Sequence, residues 1–469
     1  MKQNTRNFNH EIHETPFNFR VFRVFRGCSI FSSVYFVVAL MPICAGTLED
    51  AQADARRFAE GVAAHIEDAE LAGMFTRCYL DTITRTVEYS EDGEGREDSF
   101  VVTGDIPAMW LRDSCAQVWP YLEVAKTSEA MRKVLRGVLA RVYRCIAIDP
   151  YANAFNKEPG HSMWESDLTA MKPELHERKW ELDSLAYPMR LAHGYWKATG
   201  DSTPFGAEWE KTIKTILATM REQQKKGGNR TSYTFKRRTY TPYGTLADGI
   251  GAPAKPTGMV ASAFRPSDDA CILPFNIPGN IFAAHALRLA AETTRETGGD
   301  EALALDCEVL AGEMEEGVAK YGVVEHPAFG RIYAYEVDGY GARMIMDDAN
   351  APSLLSLPYL CGVKTDDAVY AATRRMVLSD ANPWFFGEGV GSPHTGEGRV
   401  WPMAVAMRAL TSDCAEEIGA AIAQLKATTG GTGVMHESYK VGDAADFTRS
   451  WFAWADGLFA EAVLRNHER

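Results

Sequence analysis

The residues best suited to binding a ligand lie in one eleven-residue stretch, Gly104–Ser114, which reads GDIPAMWLRDS. Trp110, Arg112 and Asp113 stand almost side by side within it. Charged groups offer charge-assisted hydrogen bonds and an indole ring can cover a C–H face, so this set suits a neutral, hydroxyl-rich ligand such as a sugar. A buried Arg–Asp pair that only tethers a loop is the alternative explanation. Pro107 and the glycine favour a loop that leads into a helix.

Several other stretches carry more acidic, aromatic and histidine side chains than surface chemistry requires. A helix cap at Ser267 or Asp268, or a satisfied loop histidine at His436, would explain each of them singly. Their number, and their positions near predicted loop–helix junctions, favour a shared site. The stretches are Trp164–Asp167, Glu177–Ser184, Phe264–Ala270, Asp347–Asn350, Gly391–Thr395 and Met435–Tyr439.

Carboxylates far apart in the sequence meet the requirement of glycosidic-bond cleavage. One carboxyl must be protonated to assist the departing oxygen, and the other must be ionised to act on water or on the sugar. Neighbouring charge sets such opposite states, since like charges in the tandem Asp268-Asp269 raise one pKa. Arg265 stands close enough in the sequence to hold the other carboxyl ionised.

Other chemistries lack their motifs in this sequence. Neither Asp-Asp pair extends to D-D-x-x-D, and no H-E-x-x-H, EF-hand, Walker or G-x-S-x-G pattern occurs. We therefore expect no metal and no cofactor. The formal net charge of -14 argues against nucleic-acid and anionic-membrane partners. The nine cysteines include no C-x-x-C pair, which favours reduced core thiols.

Helical periodicity dominates from residue 48 onward, and long loops that contain glycine and proline separate the helical segments. These features predict an all-α fold, a toroid of paired helices with short β-hairpin insertions, in a single domain over residues 47–469. Asp300 and Asp413 are predicted to begin helices, and Gly200 and Gly322 to end them. The predicted helices are 49–72, 116–148, 182–199, 205–226, 279–297, 300–320, 365–379, 399–411, 414–429 and 446–466. The predicted hairpins are Val87–Val102, Thr231–Tyr240 and Phe329–Met346.

The first 46 residues differ in composition from the body. Arginines precede the apolar run Ile30–Leu40, and the small residues Cys44-Ala45-Gly46 follow it. This order is typical of a secretory signal, although the stretch before the apolar run is long. A start of translation at Met41 is the second explanation. A membrane anchor is disfavoured because the run is shorter than the roughly 20 residues that span a bilayer. A cytoplasmic location is slightly favoured, with export if the segment is a true signal.

Six ordered blocks of this sequence resemble glycoside hydrolase family 125, the metal-independent exo-acting α-1,6-mannosidases. The resemblance covers about residues 50–466 and implies an (α/α)6 barrel and a substrate that is a mannose-containing oligosaccharide. The blocks are GDIPAMWLRDS from Gly104, KWELDSLAYP from Lys179, FRPSDDA from Phe264, MDDANAPSLLSLPYL from Met346, GSPHT from Gly391 and MHESY from Met435.

The resemblance also implies inversion of the anomeric configuration by an Asp acid and a Glu base. The acid matches Asp268, with Asp269 as the other possibility, and the base matches Glu437. The implied substrate-binding residues come from all six blocks or stand close to them. They are Trp110, Arg112, Asp113, Asp183, Arg265, Asn280, Asp348, His394, Thr395 and His436.

Three other functions stay open on the sequence alone. A glucosidase or trehalase with the same barrel would need the same pair of carboxylates. A sugar isomerase or epimerase would use His394 and His436, but it would leave the acidic pairs unexplained. A carbohydrate-binding protein would bind sugar without releasing it.

Overall fold

Helices joined by loops of very unequal length build the residues that the computed structural model describes, 45–239 and 241–467. The predicted leader lies outside them, apart from two residues that begin the first helix. The helices are α1 Ala45–Ala63, α2 Ala69–Asp81, α3 Leu111–Gln117, α4 Leu122–Ala125, α5 Glu129–Ile148, α6 Asp183–Thr199, α7 Ala207–Gln223, α8 Ile277–Glu296, α9 Glu301–Gly317, α10 Leu357–Cys361, α11 Ala368–Val377, α12 Pro402–Leu410, α13 Ala415–Ala427 and α14 Ala453–His467.

Apolar side chains at helical spacing determine which face of each helix is buried. In α5, Val134, Val138 and Val142 follow one another at four-residue intervals, and all three are completely buried. Ser128 caps this helix, because its hydroxyl accepts the Met131 N–H at 3.0 Å. The periodicity predicted the second half of the segment 116–148 as helix, because the buried face of α5 is continuous.

The helices form two concentric rings. The inner ring runs through α3, α6, α8, α10, α12 and α14, and the ring closes because α14 packs against both α12 and α3. Outside it, α1 packs on α5, α5 on α7, and α7 on α9. Every residue of α3 is buried, as expected for a helix enclosed on all sides. The predicted helical toroid is confirmed.

Short strands occupy the connections between the helices. Val87–Glu91 pairs antiparallel with Glu97–Val101, which confirms the first predicted hairpin. The prediction for Phe329–Met346 was partly right: Glu336–Val337 pairs with Arg343–Met344 inside it, but Gly330–Tyr333 pairs with Val323–His326, which precedes it. The second hairpin prediction was wrong: of residues 231–239, only Lys236 forms a β-bridge, with Leu168. The strands are β1 Val87–Glu91, β2 Glu97–Val101, β3 Met109–Trp110, β4 Ala154–Phe155, β5 Leu175–Glu177, β6 Phe275–Asn276, β7 Val323–His326, β8 Gly330–Tyr333, β9 Glu336–Val337, β10 Arg343–Met344, β11 Arg399–Val400, β12 Ser438–Lys440 and β13 Asp443–Thr448.

Three predicted helix boundaries were wrong for local reasons. The predicted helix 49–72 is divided into α1 and α2, because Asp68 accepts the Glu70 and Leu71 N–H groups and starts a new helix. The predicted helix 116–148 is three helices, interrupted by a 3₁₀ turn that contains Pro120. The last predicted helix begins at Ala453 rather than 446, since 443–448 is strand.

The predicted helix signals had mixed outcomes. Asp300 caps α9 by accepting the Ala302 N–H, and Gly200 ends α6 in the left-handed conformation, as predicted. Asp413 does not cap α13, because Cys414 holds the N-cap position and the Asp413 carboxylate accepts the Thr365 hydroxyl. Gly322 ends a π-helical turn that follows α9. No helix among the described residues is long and apolar enough to cross a membrane.

Candidate active site

The site lies where the loops enter the inner helices. The residues that directly precede α3, α12 and α14 line one common cavity: Trp110, Trp401 and Phe452. A cavity there encloses about 360 Å³ of space between its walls. It is lined by Thr103, Ile106, Trp110, Arg112, Asp113, Ser267, Asp268, Asn350, His394, Trp401, Glu437, Arg449 and Phe452.

Arg112 joins the first loop to the second. It occupies the first turn of α3 and is 2% exposed. Its Nη1 lies 2.6 Å from Glu181 Oε2 and 3.1 Å from Asp183 Oδ2, and its Nη2 lies 3.5 Å from Asp268 Oδ1. The guanidinium therefore tethers loops and also lines the cavity. Both explanations offered for the Gly104–Ser114 stretch, a ligand-binding residue and a buried tether, hold for Arg112.

Glu181 and Asp268 form a buried pair of carboxyl groups. Asn153 Nδ2 donates to Glu181 Oε1 at 3.2 Å and to Asp268 Oδ1 at 3.4 Å. The two carboxyls also hydrogen-bond to each other, which requires that one of them carry a proton. Glu181 is fully buried, whereas the Asp268 side chain is 27% exposed toward the cavity.

The surrounding charges place the shared proton on Glu181 when the cavity holds no ligand. Burial raises the pKa of Glu181 well above its ordinary value, although Arg112 opposes this effect. Burial also disfavours the Asp268 carboxylate, but the charges of Lys179 and Arg112 and the hydrogen bond from Glu181 outweigh it and lower the pKa of Asp268. The cavity-facing member of the pair is thus ionised and the inner member is protonated.

Asp268 is held in a strained turn. Its φ is 66°, in the left-handed region that Asp tolerates better than most residues. The Arg265 N–H donates to the Asp269 carbonyl at 2.7 Å, and Phe264 bridges to Ala270. Closure of this loop at both ends fixes where the Asp268 carboxylate points.

Glu437 reaches the same cavity from the far end of the sequence. It stands just before β12 and is 9% exposed. Arg449 Nη1 lies 3.9 Å from Glu437 Oε1, and Arg449 Nη2 lies 2.5 Å from Asp105 Oδ1 in the first loop. His436 supports this hairpin, since it stacks on Phe447 at 3.6 Å between ring centroids.

Two further titratable groups line the cavity. His394 Nδ1 lies 3.2 Å from Asp269 Oδ1. Burial alone would lower the pKa of His394, but the Asp269 carboxylate and the Glu437 and Asp268 charges raise it to about 9, so the ring is an imidazolium. Burial raises the pKa of Asp113 to about 6, against the opposing effect of Arg112.

A family model for metal-independent alpha-mannosidases (GH125) matches residues 68–464. The chain belongs to this family. A solved structure from Streptococcus pneumoniae, described as a member of a new family of metal-independent alpha mannosidases in a non-productive complex with alpha-1,6-mannobiose, is 41% identical to it. That match has a TM-score of 0.85 and covers 89% of this chain and 98% of the other.

Two further proteins are similar to this chain, one in sequence and one in fold. The meiotically up-regulated gene 157 protein of Schizosaccharomyces pombe is 39% identical over 432 residues, which are 87% of this chain and 85% of the relative. A bacterial glucoamylase structure in complex with acarbose has a TM-score of 0.54 at 12% identity, covering 86% of this chain and 56% of the other. The latter likeness shows the fold alone, an (α/α)6 barrel.

The structure brings six of the predicted site residues of this family member into the cavity wall and leaves the others behind it. Asp183 and Asp269 stand one contact away, on Arg112 and His394. The six predicted residues that line the cavity are Trp110, Arg112, Asp113, Asp268, His394 and Glu437.

Five predicted substrate-binding residues support the wall instead of forming it. Arg265 pairs with buried Glu336 at 2.6 Å, and Asp348 accepts the Ser267 hydroxyl at 2.7 Å. Asn280 bonds to the Val260 backbone, Thr395 to the Trp401 indole and His436 to the Arg449 carbonyl. Neither Ser267 nor Asp268 caps a helix, because Asn276 holds the N-cap position of α8.

Sequence reasoning missed four residues of this mannosidase site. Glu181 and Lys179 stood in a block already singled out, where only Asp183 was chosen. Asn153 lies between apolar neighbours, so nothing in its local pattern marked it. Arg449 lies in a segment that was predicted to be helical. No three His, Cys, Asp or Glu side chains within 45–239 and 241–467 are grouped so that they could hold a metal ion.

Proposed function

We propose that this protein removes terminal α-1,6-linked mannose from oligosaccharides with inversion of the anomeric configuration. Asp268 acts as the general acid and Glu437 as the general base. The observation that carries the proposal is that these two carboxyls, which lie far apart in the sequence, line one cavity with Trp110. The alpha-1,6-mannobiose bound to the pneumococcal relative supports the choice of linkage.

The side chains that line the cavity suit a neutral sugar. Trp110 and Phe452 offer apolar faces, while Asp113, Asn350 and Arg112 offer hydrogen-bonding groups. Buried, charge-assisted hydrogen bonds of this kind discriminate strongly between hydroxyl orientations. They support a site for one sugar unit at the end of a chain.

The proton for the leaving group comes from the Asp268–Glu181 pair. In the unliganded enzyme the proton is held mainly by Glu181, and only Asp268 is exposed to the glycosidic oxygen. As negative charge develops on that oxygen, the shared proton moves outward through Asp268. A second proton source directly behind the acid explains how a carboxyl surrounded by Lys179 and Arg112 can donate.

Glu437 accepts a proton from the water that attacks the anomeric carbon. Inversion needs about 6.5–9.5 Å between the two carboxyls so that this water fits between the base and the sugar. Arg449 Nη1 lies 3.9 Å from Glu437 Oε1, and the His394 imidazolium lines the same cavity.

Proton NMR of α-1,6-mannobiose during digestion tests the proposal directly. We expect β-mannose to appear first and then to equilibrate with the α-anomer. Glu437→Gln is expected to abolish turnover while mannobiose binding, measured by calorimetry, persists. The Glu461→Gln variant is the control, because Glu461 bonds Tyr359 and lies outside the cavity lining. Initial release of α-mannose, or normal turnover in Glu437→Gln, would refute the assignment.

A panel of substrates tests the alternative within the same fold. The glucoamylase-like architecture alone does not distinguish mannose from glucose. Faster hydrolysis of terminal α-glucosides than of α-mannosides would replace the proposed specificity.

A further inference from the structure

A second cavity lies against the loop that carries Asp268, apart from the active-site cavity. The space between its walls is about 370 Å³, close to that of the active-site cavity. Ala263 and Cys271, which flank that loop, form part of its wall, and Lys225 and Thr231 form another part. No carboxylate stands among the described residues that line it.

Lys225 is the unusual residue of this cavity. It follows α7 with a φ of 55° and is only 6% exposed. Its Nζ makes no hydrogen bond or ion pair with any residue in 45–239 or 241–467, and the atom is open to the space of the cavity. The next residue, Lys226, is exposed and pairs with Glu313 at 2.8 Å, which is the ordinary arrangement for a lysine at a helix end.

A buried ammonium without a counter-charge is costly, and burial lowers the pKa of Lys225 accordingly. A positive φ at a lysine adds to the cost. An outward side chain, as at Lys226, would avoid the cost of burial. An anion in the cavity would supply the missing charge.

We propose that this cavity binds a small inorganic anion, with the Lys225 ammonium as its main ligand. Thr231 provides a second donor: its Oγ1 accepts the Gln223 Nε2–H at 3.0 Å, which leaves its own hydroxyl hydrogen free to point into the cavity.

The anion would stabilise the stem of the catalytic loop. The Cys271 N–H donates to the Ala263 carbonyl at 2.9 Å, and the bridge between Phe264 and Ala270 lies just above that bond. Filling the cavity beside this stem therefore favours the closed loop that holds Asp268. This inference does not depend on which sugar the enzyme hydrolyses.

Thermal unfolding in chloride tests the site. The protein is exchanged into sodium gluconate, and chloride replaces gluconate at constant ionic strength. We expect the wild-type Tm to rise by about 1–3 °C with a saturable dependence on chloride. Lys225→Met should lose the response, and the matched variant Lys226→Met should keep it. An unchanged wild-type Tm, or an equal response in Lys225→Met, would overturn the proposal.

Crystals of the wild-type protein grown in bromide give a test that does not depend on a variant. We expect an anomalous bromide peak within hydrogen-bonding distance of Lys225 Nζ. Bromide found only elsewhere on the surface would contradict the assignment, whatever the thermal result.

Discussion

Replacing Glu181 with glutamine removes the proposed inner proton while nearly preserving the shape of the side chain. Glu181 Oε2 lies 2.6 Å from Arg112 Nη1 and its Oε1 lies 3.2 Å from Asn153 Nδ2, and the glutamine amide can occupy the same space. Because burial keeps the native Glu181 protonated, the neutral variant should fold normally. The glutamine amide would donate a permanent hydrogen bond to Asp268 and hold it ionised.

The expected loss follows from the contribution of general acid catalysis, which is about 10²–10⁴-fold. Each unit by which the pKa of Asp268 falls lowers the population of its protonated form about tenfold. We therefore expect Glu181→Gln to slow α-1,6-mannobiose hydrolysis by about 10²-fold or more. A dinitrophenyl α-mannoside, whose leaving group departs without a proton, should react within about threefold of the wild-type rate.

Steady-state kinetics on the two substrates, side by side, provide the assay. Asp183→Asn is the matched control. Asp183 accepts from the same Arg112 nitrogen as Glu181, at 3.1 Å, but the carboxyl that shares a hydrogen bond with Asp268 is that of Glu181. The control should change both rates by a similar factor. If Glu181→Gln slows both substrates equally, or slows neither, the shared-proton argument fails.

Three further predictions concern pH and backbone geometry. Burial raises the pKa of Asp456 to about 8, so the folded protein holds a proton that the unfolded chain loses above about pH 4. The free energy of unfolding should therefore fall by about 1.4 kcal/mol per pH unit between those values. Asp456→Asn should flatten the corresponding decline of Tm with pH. The raised pKa of His394 predicts that kcat/KM declines above about pH 9 as the imidazolium is lost, and His394→Gln should lack this decline in a pH–rate profile. Gly104 has a φ of 124°, and an added Cβ would lie 2.6 Å from the Trp451 carbonyl oxygen. Gly104→Ala should therefore lower the free energy of unfolding by about 2–4 kcal/mol, measured by denaturant titration. An unchanged midpoint would contradict this.

Hydrophobic periodicity predicted the helices whose buried face is unbroken, such as α6 and α8. It failed where a single polar contact interrupts an apolar run. Asp68 separates α1 from α2 by capping a helix inside a continuous pattern, and β13 replaces the start of the last predicted helix because it pairs with β12. Both contacts are local, since the Asp68 cap reaches two and three residues along and β12 and β13 form a hairpin. Apolar periodicity missed them because it registers neither a capping carboxylate nor a short strand pair.

The site could be predicted as a set of loops but not as a set of contacts. The blocks around Trp110, Asp268 and Glu437 were conspicuous because they combine residue types that do chemistry. The sequence could not tell that Arg265 turns away to Glu336, or that Asn153 joins two carboxyls. Those roles depend on which side chains are enclosed together, and only the closed ring determines that.

Closure of the ring by α14 has a consequence for how the enzyme is made. Gly104 forms a β-bridge with Phe452, and Glu437 and Arg449 stand shortly before α14 in the sequence. The ribosome must therefore synthesise the chain through Arg449 before the base can join the acid. A chain that stops between Asp268 and Glu437 contains the acid but not the base.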